Sequence, residues 1–179
     1  MSQCDYRDLK RDRRYVASAP VIEAPVTLDL PDGPSLETTL AGIDFIEEAA
    51  VRGLSGALIG SADPIRLLTE PATILPPSTT ATRLGIASGD ELTLRAAASE
   101  FRVVVIGTTD DRRDSTPRLV SDIATAQEIA GMQGLLSRID LRLDDAAAEV
   151  LAANPPNGTV LVPAAAEDQI LRELTRAFN

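Results

Sequence analysis

LVSDIATAQEIAGMQGLLSRIDLRLDD, residues 119–145, carries a strand end, a capped helix, a helix stop and a second strand in direct succession. Arg118–Ser121 reads as the end of a short strand. Asp122 stands just before the helical run Ile123–Ala130, where its carboxylate can accept from the unpaired N–H groups of the first turn. Gly131 follows the run and is suited to the left-handed residue that ends a helix. Leu136–Leu143 alternates with a period of two and puts Ile139, Leu141 and Leu143 on one face of a half-buried strand. Asp144 or Asp145 then caps a further helix running through Ala153. Helical and strand periods both occur within this short span, so the chain carries both kinds of element.

The same punctuation extends in both directions. Upstream, Glu91–Ala96 and Glu100–Ile106 are strands joined by a short Ala-Ser linker, and Ser88-Gly89-Asp90 is the tight turn before them. Ser78 or Thr79 caps a helix to Leu84, stopped by Gly85. Ala72–Leu75 is a short apolar strand ended by Pro76-Pro77, and Asp63-Pro64 is a turn. Asp44–Leu58 is a helix, or a loop with helical turns, weakened by Gly53 and Gly56. Val21–Leu30 and Leu36–Ile43 are strands around the turn Pro31–Pro34 and form a hairpin, with Pro25 at an edge or bulge. Residues 5–15 read as a charged helix. Downstream come a turn at Pro155–Gly158, a strand at Thr159–Val162 and a last helix from Ala165. That helix puts Ile170, Leu171, Leu174 and Phe178 on one side and carries no stop signal before Asn179. Such a helix either frays at a natural terminus or continues into further sequence.

Composition removes several function classes. Histidine is absent from all 179 residues, which takes away the commonest general base and metal ligand. Ser55 in RGLSGAL therefore cannot belong to a Ser-His-Asp triad. The net charge of -10, with aromatics at 3% and no Trp, argues against a nucleic-acid reader. Residues 1–14 are locally basic, with five cations against three aspartates, and read as a solvated helix face. Asp110, Asp111 and Asp114 lack the spacing and central glycine of a calcium loop, and Gly60–Asp63 lacks the Lys-Ser/Thr of a phosphate loop. No metal or cofactor is expected. Cys4 is the single cysteine, so no disulfide can form within the chain, and no apolar run preceding it supports a lipoprotein anchor. No run approaches the roughly 20 apolar residues of a membrane helix.

Two segments carry a family resemblance. ATRLGIASGDELTL (81–94), between ATILPPS and FRVVVIGTT, and LVSDIATAQEIAG (119–131), followed by LSRIDLRLDD, resemble the MacB-like periplasmic core domain of FtsX-type ABC permeases. The residues that match are Leu84, Gly85, Gly89 and Asp90 in the first segment, and Asp122, Ala126 and Gln127 in the second. The resemblance spans nearly the whole chain. It implies an α+β fold, a mixed-sheet Porter-like lobe formed by both chain ends (1–45 and 118–179) with a smaller β-rich Sabre-like lobe inserted at 46–117.

Function follows from the same resemblance. It implies an extracytoplasmic, non-catalytic domain lying between membrane helices, which couples ATP-driven helix motion to export of a hydrophobic cargo or release of a lipoprotein. Its partners would be its own transmembrane helices, a cytoplasmic ABC ATPase, a second permease protomer, and a periplasmic adaptor, chaperone or lipoprotein. Arg14, Ile170, Leu174 and Phe178 would belong to the stalks leading to the membrane. The competing readings are a soluble periplasmic ligand- or protein-binding module and the β-barrel accessory domain of an enzyme. Membrane helices flanking the domain would discriminate them.

Overall fold

Strand β1 (Ala17–Asp29) is the spine of the sheet. In the computed structural model, which describes residues 1–11, 17–30, 33–52, 62–110, 118–155 and 158–163, β1 meets three other strands. One side pairs with β2 (Leu36–Ile43) from Val21↔Ile43 to Leu28↔Leu36, the hairpin expected from the sequence. The other side is shared. Ala17–Val21 pairs with β7 (Arg138–Arg142), and Thr27–Asp29 pairs with β4 (Glu91–Ala96). Pro25 falls in the gap between them, where a missing N–H breaks no ladder on that side.

The remaining strands are β3 (Thr73–Ile74), β5 (Ser99–Val105) and β6 (Leu119–Asp122). The order is β3-β5-β4-β1-β2-β6, with β7 attached to β1. β2–β6 and β3–β5 are parallel and the other pairs antiparallel, so the sheet is mixed. Just past β3, Leu75 exchanges both backbone hydrogen bonds with Val120 of β6, at 2.7 and 2.9 Å. That bridge closes the six-strand order on itself as a ring.

The helices are α1 (Gln3–Arg11), α2 (Phe45–Arg52), α3 (Pro64–Thr69), α4 (Ser78–Leu84), α5 (Ile123–Ala130) and α6 (Asp145–Ala153). Alternation along the strands builds the main core. Ile22, Val26 and Leu28 of β1 meet Leu40, Leu92, Leu94, Val103, Val105, Ile74 and Leu119, with Ala126 and Ile129 of α5 and Tyr6 of α1. Each large aliphatic buried there stabilises by roughly 1.5–3 kcal/mol. The opposite register of β1 and β2 gives a second cluster, in which Val21 and Ile43 join Phe45, Leu67, Leu75, Ile106 and Val120.

Several expectations are corrected. Asp63-Pro64 starts a helix instead of a turn. Asp63 is the N-cap of α3, accepting from the Ile65 N–H, and Pro64 opens the first turn, where its absent N–H costs nothing. Pro77, not Ser78 or Thr79, holds the N-cap position of α4, with no side-chain cap bond. Thr159–Val162 is not a strand. In β7 the alternation is blurred, because Arg138 and Asp140 are as half-buried as Ile139 and Leu141; the ion pairs described below draw the polar residues inward. Two expected elements, the strand Leu36–Ile43 and the helix Ile123–Ala130 between Asp122 and Gly131, have the bounds read from the sequence.

The chain divides into two compact units, Met1–Arg142 and Leu143–Asn179. Strands of the segment 46–117 pair within the ring with β1 and β6 from the flanking segments. Within the second unit, Asp144 caps α6 by accepting from the Ala147 N–H at 2.7 Å.

Candidate functional site

The first motif is a helix stop joined to a strand start. Gly85 takes a left-handed conformation (φ 67°) after α4, and its N–H reaches back to the carbonyls of Ala81 and Thr82. At Gly89 φ is 100°, in the region that favours glycine. Asp90 then locks the turn. Its Oδ2 accepts from the Ala87 N–H at 2.8 Å, its own N–H donates to the Ala87 carbonyl at 3.2 Å, and its carbonyl accepts from Val105 at 2.9 Å. The Gly89 N–H donates to the Val105 carbonyl at 2.7 Å. Leu84 is half-buried at the end of α4.

The second motif fastens α5. Asp122 Oδ1 accepts from the Ala124 N–H (2.8 Å) and Oδ2 from Thr125 (3.2 Å). Ala126 is fully buried against Gly42 of β2. Gln127 is buried and bridges two segments: its Nε2 donates to the Leu135 carbonyl at 2.9 Å, and its Oε1 accepts from Gln3 of α1 at 3.3 Å. α1 is fixed further by the Gln3 N–H to Gly134 (2.9 Å) and by the Leu136 N–H to the Met1 carbonyl (2.7 Å). The buried Tyr6 hydroxyl donates to the Ser18 carbonyl at 3.0 Å. Burial pushes the Tyr6 phenol above its ordinary value, and the Ser18 hydroxyl offsets part of that. Lys10 lies over the Tyr6 ring and pairs with Glu47 of α2.

A third constellation was not singled out in the sequence. Glu23 of β1 accepts from Arg118, just before β6, at 2.5 Å, and from Arg138 of β7. Arg138 Nε also donates to Asp140 at 2.8 Å. Burial disfavours the Arg138 charge, but Asp140 and Glu23 more than offset this and leave its pKa above the ordinary arginine value. The Glu23 backbone on the gap side is satisfied by Ser137, whose hydroxyl accepts from the Glu23 N–H (2.8 Å) and donates to its carbonyl (3.3 Å).

The two motifs are not brought onto one surface by the described contacts. Gly85–Asp90 is tied to β5, and Asp122–Gln127 to β2, α1 and the loop before β7. In both, the hydrogen-bonding side chains Asp90, Asp122 and Gln127 bond to this chain's own groups, so the arrangement sets backbone geometry. Among the described residues no cluster of His, Cys, Asp or Glu could hold a metal, and no helix is long and apolar enough to cross a membrane. The stalk candidates Arg14, Ile170, Leu174 and Phe178 lie outside the described residues. Gly42 and Glu23 are positions the sequence reading missed. An isolated glycine inside a strand pattern signals close backbone approach, and a lone glutamate in an otherwise apolar strand signals a partnered charge.

The fold is similar to that of solved extracytoplasmic regions of ABC-type transporters. The chain superposes on the extracellular domain of the noncanonic ABC-type transporter YknZ from Gram-positive bacteria. The TM-score is 0.61 at 14% identity, over 86% of this chain and 83% of that one. The periplasmic region of MacB from Actinobacillus actinomycetemcomitans superposes with a TM-score of 0.55 at 13% identity, over 99% of this chain and 74% of that one. In sequence the chain is 28% identical over 180 residues to the uncharacterized ABC transporter permease protein Rv0987 of Mycobacterium tuberculosis; the match covers 97% of this chain and 21% of that relative. The chain thus spans only that minor share of the relative's length. No protein-family model matches it. The resemblance to a MacB-like periplasmic domain is borne out in fold, and the sequence match is to an ABC transporter permease.

Proposed function

We propose that the chain is the extracytoplasmic domain of an ABC-transporter permease subunit and that it works mechanically, without chemistry of its own. One observation carries this reading: nearly the entire chain matches a stretch of a permease about five times its length, as expected of one domain in a longer membrane protein. Its immediate partners are then its own transmembrane helices, a cytoplasmic ABC ATPase and a second permease protomer. Movement of the membrane helices on ATP binding is passed to the domain, which drives export of a hydrophobic cargo or release of a lipoprotein. A periplasmic adaptor, chaperone or lipoprotein would receive that movement. Such coupling requires two arrangements that nucleotide distinguishes. In this reading the segment 46–117 is the smaller, Sabre-like part set between the Porter-like chain ends.

The test uses Cys4, which is exposed on α1. In the full-length protein, with any other cysteines replaced, a membrane-impermeant maleimide added to intact protoplasts should label Cys4, and the labelled protein should stay with the membranes after an alkaline wash. Protection until the cells are lysed would overturn the extracytoplasmic placement. Labelled protein that washes free would favour a soluble binding module.

A further inference from the structure

The Glu23 cluster occupies a particular place in the sheet. β1 changes partner there, leaving β7 after Val21 and joining β4 only at Thr27. Among the described residues, β7 pairs with β1 and with no second strand. Five ladder positions are little to hold a strand that leads directly out of the first unit at Arg142. Glu23 sits at the inner end of that short ladder and accepts from Arg138 of β7 and from Arg118 before β6. We infer that Glu23 is a clasp: one carboxylate that ties β7 and the start of β6 to the spine strand and keeps the outgoing chain from peeling away.

The electrostatics favour this role. The Arg118 and Glu23 side chains retain only 18% and 31% of their exposure, so their attraction is less screened than at an open surface. Two guanidiniums on one carboxylate oxygen repel each other once the carboxylate is lost, and a partly buried pair broken on one side leaves uncompensated charge. Removing the Glu23 charge therefore loosens two strands at once. Asp140, two residues on in β7, accepts from Arg138 within the same strand. The inference rests on the permease reading only for its mechanical meaning, namely that a pull on the chain beyond Arg142 opens the ladder from the Ala17↔Arg142 pair and is stopped at this clasp, at the far end.

Hydrogen exchange on the 179-residue chain tests it without transport. Glu23→Gln should speed exchange about tenfold at the β7 amides and at Ala17–Val21, with Leu92, Val103 and Val105 of β4 and β5 unchanged. Asp140→Asn should give a smaller effect confined to β7. Unchanged exchange in β7, or an equal rise in every strand, overturns the clasp. If Glu23→Gln does not fold, Arg138→Lys, which keeps the charge but loses the second hydrogen-bonding arm, must show the same local pattern. A local opening would stand even if Cys4 labelling refuted the extracytoplasmic placement, so the two readings fail separately.

Discussion

An alanine at Gly42 would put a Cβ 2.1 Å from the Ala126 Cβ, 3.3 Å from the Ile123 Cα and 3.5 Å from the Ala126 Cα. Carbon atoms settle about 3.5–4.0 Å apart, so α5 would have to withdraw by about 1.5 Å. Three attachments resist that movement: Asp122 caps the first turn, Ala126 and Ile129 are buried in the core, and Gln127 is bonded to Leu135. Overpacking of this kind costs about 1–3 kcal/mol. A strand alanine recovers about 0.5–1 kcal/mol of backbone entropy relative to glycine. The expected net loss for Gly42→Ala is therefore about 1–2 kcal/mol. Ala126→Gly alone should cost about 1 kcal/mol as a helix glycine. Together, the second change removes the atom that the first one strikes, so the double variant should be at least as stable as Gly42→Ala. Urea unfolding followed by circular dichroism gives all four stabilities, comparing the transition of the Met1–Arg142 unit. A Gly42→Ala protein as stable as the parent, or two losses that simply add, would refute the close-packing argument.

Two further outcomes follow from the same contacts. Asp122→Ala should lower stability by about 1–2 kcal/mol, and Asp122→Asn, which keeps an acceptor for the first turn, by clearly less; equal losses would mean that capping is not what Asp122 contributes. Tyr6→Phe should cost about 1 kcal/mol at neutral pH through the lost bond to Ser18. Because the Tyr6 pKa is raised above 10.0 in the folded protein, the neutral phenol is the favoured form. Its contribution is complete below the unfolded value and is lost as pH rises through the folded one. The stability difference between parent and Tyr6→Phe should therefore be flat to about pH 9 and shrink above it, and a difference that widens with alkali would contradict the burial.

What the sequence made legible was local. Asp122, Gly131 and Gly85 act on their own helix ends, so a cap or stop signal reads directly. The hairpin of β1 and β2 needs only neighbouring residues. Asp63-Pro64 was misread because the pair serves a turn and a helix start equally well, and the short α3 that follows gives little periodicity to decide between them. Long-range pairing was not legible. Nothing in Leu75 or Val120 announces that they exchange hydrogen bonds, and no local pattern says that β1 divides one side between β7 and β4. The Glu23 cluster joins residues from three distant parts of the chain, and no local pattern says which charges meet. The tasks of two motif residues, Ala126 packing into the space that Gly42 leaves and Gln127 joining α1 to the loop before β7, depend on packing that only the fold supplies.

The division of β1 between early and late partners has a consequence for how the protein is made. β2 follows β1 almost at once, so the hairpin can close as soon as both have emerged, within microseconds. The other side of β1 must wait for β4 and then for β7, and the bond between the Met1 amino group and Leu136 spans 135 positions. Non-local closure of this kind folds on the slow side, in milliseconds to seconds. During that wait the hairpin offers an open strand edge, and such edges pair readily with other chains. A chain interrupted before Arg138 would keep that edge for good, so fragments ending short of β7 should self-associate even where their β1–β2 hairpin is intact.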